Sequence, residues 1–222
     1  SFSRSMAHDL LTSCPAKLFD SCYLNPHYEP VRKKEFDIGD ASHLIVLEPD
    51  QWGDRVEIIE ARDYKTNAAK EARDAAYAAG KTPLLVEQRD RILAMHRALI
   101  ADSDARALLF DDKGGENETT FVAQDEDTGI WLKARTDRVN LRASRVVDFK
   151  STGSANPHDW AGRVYDNGYY LQDPFYREVI GLATGEWIRE FLFVVQEPKP
   201  PYLISINWLD VVDIELGRTG MG

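Results

Sequence analysis

The stretch "VVDFKSTGSANP", residues 146–157, carries an aspartate and a lysine two positions apart inside an apolar run. Side chains alternate across a strand, so Asp148 and Lys150 project from one face while Val147 and Phe149 project from the other. Taken by itself, an Asp-x-Lys pair indicates only an ion pair on a half-exposed strand, which adds little stability. Its meaning depends on the partners that the rest of the chain supplies.

Composition sets the first limits on those partners. The chain has 222 residues, of which 43% are hydrophobic, and this is enough for a substantial core. The net charge of −10 disfavours nucleic acid as a partner without excluding it, because a local basic path can coexist with an acidic exterior. Acidic residues that hold cations also count as negative until the metal is bound.

Three features predict a cytoplasmic protein that does not bind the membrane. The longest apolar runs, such as 191–195, are too short to span a bilayer, and the first residues contain no long apolar leader. Two cysteines, Cys14 and Cys22, cannot form a four-ligand zinc or iron–sulfur site unaided, which favours a reduced chain.

Hydrophobic periodicity predicts a mainly helical first part, residues 1–102, and a sheet with a helix in residues 103–210 of a single 1–222 domain. In the first part we expect an extended segment over 52–63 and helices over 3–23 (broken at Pro15), 36–49, 64–80 and 82–102. In the second we expect strands over 118–124, 129–140 and 144–152, a long helix over 156–185, and strands over 188–197 and 201–209. The first three strands form an antiparallel meander. The predicted fold class is α/β or α+β, with a mixed central sheet flanked by helices.

The meander brings a second aspartate to the first. Asp137 precedes Asp148 by eleven residues, which suits adjacent strands joined by a short turn. Two neighbouring carboxylates repel each other unless a cation lies between them, and a hard divalent cation prefers oxygen ligands. With Lys150 beside them, this arrangement suits metal-assisted attack of water on a phosphodiester.

Five motifs in order resemble a known nuclease family. Asp137 followed by Asp148-Phe149-Lys150 resembles the PD-(D/E)xK core, and "GDASHLIVLEP" at 39–49 resembles the upstream histidine motif of its RecB and RecE branch. "QDPFY" at 172–176 matches the Q-x-x-x-Y motif of that branch. The tail "EPKPPY" and the opening "MAHDLLTSCPAKLF" look like those of RecE-type phage exonucleases. The chain most resembles the RecE-type, lambda-exonuclease-like recombination exonucleases.

The resemblance implies a role for each matching residue. Asp137, Asp148 and the Phe149 carbonyl would hold Mg²⁺, or Mn²⁺ in its place, and Lys150 would be the catalytic lysine. His43 would lie near the metals, and Gln172 and Tyr176 would contact the DNA or orient the lysine. An upstream glutamate, Glu118 or Glu116, would be a further metal ligand. Ser151 and Thr152 are candidates for contact with a phosphate. A plain strand end remains the simpler interpretation of Ser151 and Thr152.

The resemblance also implies an activity and partners. The expected enzyme digests linear double-stranded DNA from its ends, 5′ to 3′, and leaves 3′ single-stranded tails. It would form a homo-oligomeric ring of three or four subunits and act with a single-strand annealing recombinase, encoded by a phage or its bacterial host. Two alternatives stay open: an endonuclease of the same superfamily, and a catalytically inactive DNA- or protein-binding module.

Overall fold

Three strands in the middle of the chain form the antiparallel meander that the alternation predicts. They are β4 (Glu116–Gln124), β5 (Trp131–Asn140) and β6 (Arg145–Ser151) in a computed structural model that describes residues 1–29 and 37–221. The β4–β5 turn is closed by Asp125, whose carboxylate accepts the backbone N–H of Thr128 at 3.0 Å. Gly129 adopts φ +71°, a conformation that a glycine reaches without strain.

Three more strands complete a six-stranded mixed sheet. They are β1 (Phe2–Ser3), β7 (Glu190–Gln196) and β8 (Ile204–Asn207). The order is β1-β5-β6-β7-β8, and β4 pairs with β5. β1 runs parallel to β5 and β7 parallel to β6, whereas the other neighbours are antiparallel. The predicted fold class, a mixed central sheet flanked by helices, is confirmed.

Along one of its edges β5 pairs with two different strands, β1 and then β6. The sheet therefore forks between these two strands. Near its start, Leu132 and Lys133 pair with β1, and near its end β5 pairs with β6. The β5–β6 pairing begins at Arg138 opposite Val147. The next position toward the fork places Asp137 opposite Asp148, so both carboxylates lie where the two strands separate.

Helices cover both faces of the sheet. On one face, Val147 and Phe149 pack in a core with α3 (Asp37–Leu47), α6 (Val86–Ala101) and α7 (Ser103–Leu109). On the other face, Val146 packs in a core with α8 (Pro157–Asp166) and α9 (Tyr169–Thr184). The helices α1 (Arg4–Thr12) and α10 (Val211–Met221) pack against α9, and α2 (Pro15–Asp20) follows α1 after the predicted break at Pro15.

Two predicted elements of the first part are wrong in type at their starts. Residues 52–63, predicted as extended, begin with the short helix α4 (Trp52–Arg55) and then form β2 (Val56–Ile59). The predicted helix 82–102 begins with a strand, β3 (Thr82–Leu85), which pairs in parallel with β2. The strand β2 agrees with the extended prediction, whereas at β3 the packing of the buried Leu84 overrides the local helix signal. The helix α5 (Asn67–Ala78) connects them, and a 3₁₀ turn (Pro49–Gln51) follows α3, whose predicted first residue, 36, lies outside the described residues.

The predicted long helix 156–185 is two helices. It breaks at Asn167–Gly168, where Gly168 adopts φ +64° and serves as the N-cap of α9. A β-carbon at Gly168 would lie 2.2 Å from Cδ2 of His8, so any side chain at this position would have to displace the His8 ring of α1. Within residues 1–29 and 37–221, no helix is long and apolar enough to cross a membrane.

Candidate active site

Asp148 and Lys150 are both enclosed, contrary to the simplest interpretation of a half-exposed strand. β6 lies inside the sheet with helices on both faces, and Asp148 is 1% exposed. The Lys150 ammonium forms an ion pair with Asp148 Oδ1. A buried carboxylate needs such a partner, because an unpaired charge in the core is strongly unfavourable.

Asp137 joins this pair across the fork. Its Oδ2 accepts a hydrogen bond from the backbone N–H of Phe149 at 2.8 Å. Burial raises the pKa of the Asp137 carboxyl well above its usual value, and the neighbouring Asp148 charge raises it further. The two acids therefore converge, as the spacing of eleven residues predicts, and they repel each other.

The helix α9, which packs on the face of the sheet that carries Val146, supplies two of the predicted residues. Gln172, which is buried, donates its amide N–H to Asp148 Oδ2. Tyr176 follows one turn later and packs edge-on against Phe191, with the ring centroids 6.0 Å apart. Burial, followed by the Asp148 charge, raises the pKa of Tyr176 to about 12, so its phenol stays protonated at neutral pH.

His43 approaches from α3. Its Nδ1 lies 3.6 Å from Asp137 Oδ2, and its ring lies 5.2 Å from that of Phe149. Burial, and then the Lys150 charge, lower the pKa of His43 to about 4. At neutral pH the imidazole is therefore uncharged, the form in which histidine can bind a metal.

Of the two candidate glutamates, Glu118 faces the site. The β4–β5 register places Glu118 opposite Asp137, whereas Glu116 is exposed at the start of β4. Glu118 adopts φ +52°, an uncommon backbone conformation for a residue with a β-carbon. Its Oε2 lies 2.5 Å from Nε of Arg135.

A cleft of about 420 Å³ lies in front of Asp137 and His43. Asp148 and Lys150 lie behind Asp137 and do not line it. The other polar residues that line the cleft are Asp40, Glu48, Arg55, Thr82, Glu118 and Arg135. Asp40 and Glu48 lie inside the histidine motif at 39–49, and Arg135 alternates with Asp137 on β5. Arg55 and Thr82 had no such signal, because they reach the cleft only through the folding of α4 and β3.

Ser151 is the last residue of β6 and Thr152 follows it, and neither residue lines the cleft. The Thr152 N–H donates to the Gln196 carbonyl at 2.9 Å, continuing the β6–β7 edge. The Thr152 hydroxyl is buried without a hydrogen-bond partner in the part of the chain that the structure describes. A phosphate-binding role for these two residues stays a prediction.

The donor types at the fork suit a hard divalent cation. The carboxylates of Asp137 and Asp148 and the carbonyl of Phe149 are oxygen ligands of the kind that Mg²⁺ prefers. Among residues 1–29 and 37–221, however, no three His, Cys, Asp or Glu side chains are grouped to hold an ion. Asp148 contacts Lys150 and Gln172, and Glu118 contacts Arg135.

Comparisons with known proteins bear on this fold. A crystal structure solved as that of a "putative exonuclease" from Eubacterium rectale superposes with a TM-score of 0.67 at 13% identity, covering 98% of this chain and 75% of that one. At that identity the match shows a common fold and no more. The crystal structure of SSO0001 covers 86% of each chain at 14% identity, with a TM-score of 0.33 that is too low to indicate a common fold. No curated protein sequence is significantly similar to the chain.

The sequence also matches a protein family. The family described as a PDDEXK-like domain of unknown function (DUF3799) matches residues 3–215, which include strands β4 to β8 and all the residues of the fork. The protein therefore belongs to the PDDEXK-like family DUF3799.

Proposed function

We propose that this protein is a Mg²⁺-dependent exodeoxyribonuclease that hydrolyses phosphodiester bonds at the ends of linear double-stranded DNA. One observation carries the proposal: Asp137 and Asp148 meet at the fork between β5 and β6, and Lys150 is paired with Asp148. In a chain of a PDDEXK-like family, this arrangement of two acids and a lysine suits metal-assisted hydrolysis of a phosphodiester.

Lys150 acts as a cation in this proposal and not as a base. Burial lowers its pKa, but the charges of Asp148 and Asp137 outweigh burial and raise the pKa above its usual value. The ammonium is therefore retained at neutral pH, where it stabilises negative charge that develops on the phosphate.

The acids of the fork would hold the ion. PD-(D/E)xK nucleases generally use divalent metals, and when bound such an ion polarises a phosphoryl oxygen and lowers the pKa of a water molecule. Asp137, Asp148 and the Phe149 carbonyl would be its ligands, with His43 and Glu118 at the cleft side. Gln172 orients Asp148, since its amide donates to one carboxylate oxygen while Lys150 contacts the other.

The finer assignments rest on the sequence motifs. The opening and tail motifs support a RecE-type exonuclease that digests 5′ to 3′ and leaves 3′ tails for strand annealing. They also support a ring of three or four subunits, an annealing recombinase as partner, and a cytoplasmic setting in a phage-infected or bacterial cell. The neighbour from Eubacterium rectale, whose name includes the word exonuclease, favours the same choice over an endonuclease.

A comparison of linear and circular duplex DNA tests the proposal. With Mg²⁺ or Mn²⁺, we expect the protein to release nucleotides from linear duplex and to leave a covalently closed circle intact, and a chelator should stop the release. Cleavage of the circle would replace the exonuclease with the endonuclease alternative.

A second candidate is an inactive nucleic-acid-binding module. The contacts that Asp148 makes with Lys150 and Gln172, and Glu118 with Arg135, favour this candidate, because these carboxylates already have partners. If that module is the correct function, titration with Mn²⁺ should show no binding that depends on Asp137 and Asp148. Metal binding that is lost in Asp148→Asn would exclude it.

A further inference from the structure

We propose that Tyr169 is a positioning residue that holds the Lys150 ammonium on the face of its aromatic ring; this inference rests on the proposed function. Nζ of Lys150 lies 5.1 Å from the centroid of the Tyr169 ring. A cation at this distance from an aromatic face is attracted by the negative electrostatic potential of the ring. Lys150 therefore has two partners, the Asp148 carboxylate and the Tyr169 ring.

The Tyr169 ring is itself fixed by the core. It stacks on the buried Trp160 with the ring centroids 5.1 Å apart and the planes at 19°, and it lies 5.9 Å from Phe193. An aromatic side chain that is packed on two others loses little further freedom when a cation binds it. The ring is thus a rigid support on which the flexible lysine stem can settle in one place.

The break between α8 and α9 creates this support. Trp160 and Tyr169 are nine residues apart, which in one continuous helix would place them about 180° apart on opposite faces. At Gly168 the chain turns, and the first residue of α9 then folds back over α8.

A second cation approaches the same ring and ties it to the rest of the site. Cζ of Arg4 lies 5.9 Å from the Tyr169 centroid. Arg4 also donates to the Asn167 carbonyl at 3.1 Å and to Gln172 Oε1 at 3.5 Å. Gln172 donates in turn to Asp148. Tyr169 therefore belongs to a closed set of contacts around the Asp148–Lys150 ion pair.

Kinetics of three variants test the proposal on linear duplex DNA. Tyr169→Leu should lower kcat about tenfold and change KM less than twofold, because the lysine is misplaced while the DNA surface is intact. Tyr169→Phe keeps the ring and should retain at least half of the wild-type kcat. The matched control is Tyr170→Leu, since Tyr170 lies on the same helix but packs against Tyr165 at 5.8 Å, and its kcat should be unchanged.

Two results would overturn the proposal. Unchanged kcat in folded Tyr169→Leu would reduce Tyr169 to a core residue, and equal losses in the Leu and Phe variants would assign the effect to the hydroxyl. Full activity of Lys150→Ala would instead overturn the proposed function. If the wild type has no nuclease activity, urea unfolding tests the contact between Tyr169 and Lys150. The changes in unfolding free energy caused by Tyr169→Leu and Lys150→Met should be non-additive in the double variant, whereas those of Tyr170→Leu and Lys150→Met should be additive. Additivity in both pairs would reject the contact.

Discussion

At the scale of single residues, the two aspartates at the fork serve the proposed function at the expense of the stability of the folded protein. Burial and the Asp148 charge raise the pKa of Asp137, because the ionised Asp137 carboxylate is unfavourable in the protein interior beside a second negative charge. Sites of this kind are commonly less stable than they would be without their function.

Asp137→Asn should therefore stabilise the metal-free protein. Its amide oxygen can still accept the Phe149 N–H, and the like charge is gone. We expect the unfolding free energy to increase by about 1 kcal/mol and the melting temperature in chelator to rise by about 2–4 °C. In the same variant, stabilisation by added Mg²⁺ should disappear.

The pH dependence of that gain has a definite sign. In the wild type the folded pKa of Asp137 lies above the usual carboxyl value, so its contribution to stability is fully present below that usual value and is lost as pH rises through the folded pKa. The gain from Asp137→Asn should be largest near pH 8 and should shrink toward pH 4. Asp127→Asn, at an exposed aspartate, serves as the matched control. A lower melting temperature for Asp137→Asn at pH 8 would contradict this account.

Gln172→Leu should destabilise the fold. It removes the donor to Asp148 Oδ2 at a position that is 2% exposed. A buried carboxylate oxygen that loses its donor costs about 1–3 kcal/mol, and urea unfolding should measure a decrease of that size. A change below about 0.5 kcal/mol would show that water or another side chain replaces the amide.

At the scale of elements, the sequence predicted the meander better than the helix boundaries. Alternation indicates which face of β5 and β6 each side chain occupies, and the spacing of eleven residues suits a short turn between the two strands, so the meeting of Asp137 and Asp148 was predictable. The β2–β3 pair was not, because Thr82–Leu85 forms a strand only through contacts with residues distant in sequence. The place of Glu118 depended on register, and the structure places it rather than Glu116 opposite Asp137. Tyr169 had no sequence signal, since its contact with Lys150 depends on the break at Gly168.

That break provides a prediction about two glycines. Gly168→Ala should lower the unfolding free energy by more than about 1 kcal/mol, because the residue has positive φ and a β-carbon would collide with His8. Gly162→Ala, in the exposed part of α8 with open space around it, should instead raise the unfolding free energy by about 0.5–1 kcal/mol. Urea unfolding of both variants measures the difference, and a stabilising Gly168→Ala would show that α8 and α9 can form one helix.

At the scale of the whole molecule, the charge distribution fits a site that is completed by a cation. The chain carries a net charge of −10, and the carboxylates of Asp40, Glu48, Glu118 and Asp137 line the cleft. An acidic protein can act on an acidic polymer only where bound cations or local basic groups offset the repulsion. Arg55 and Arg135 line the cleft, and each is paired with a glutamate. We therefore expect DNA binding to require a divalent ion, and filter binding with Ca²⁺ against chelator should detect that requirement.

The most direct test of the fork as an active site measures nucleotide release from linear duplex DNA with Mg²⁺ by the wild type, Lys150→Ala and Lys150→Arg. Lys150→Arg keeps the charge beside Asp148 and so guards against loss of folding, and Lys113→Ala, at an exposed lysine, is the matched control. The account predicts release by the wild type and Lys113→Ala, and loss of at least a hundredfold in both folded Lys150 variants. Wild-type rates in either Lys150 variant would contradict it.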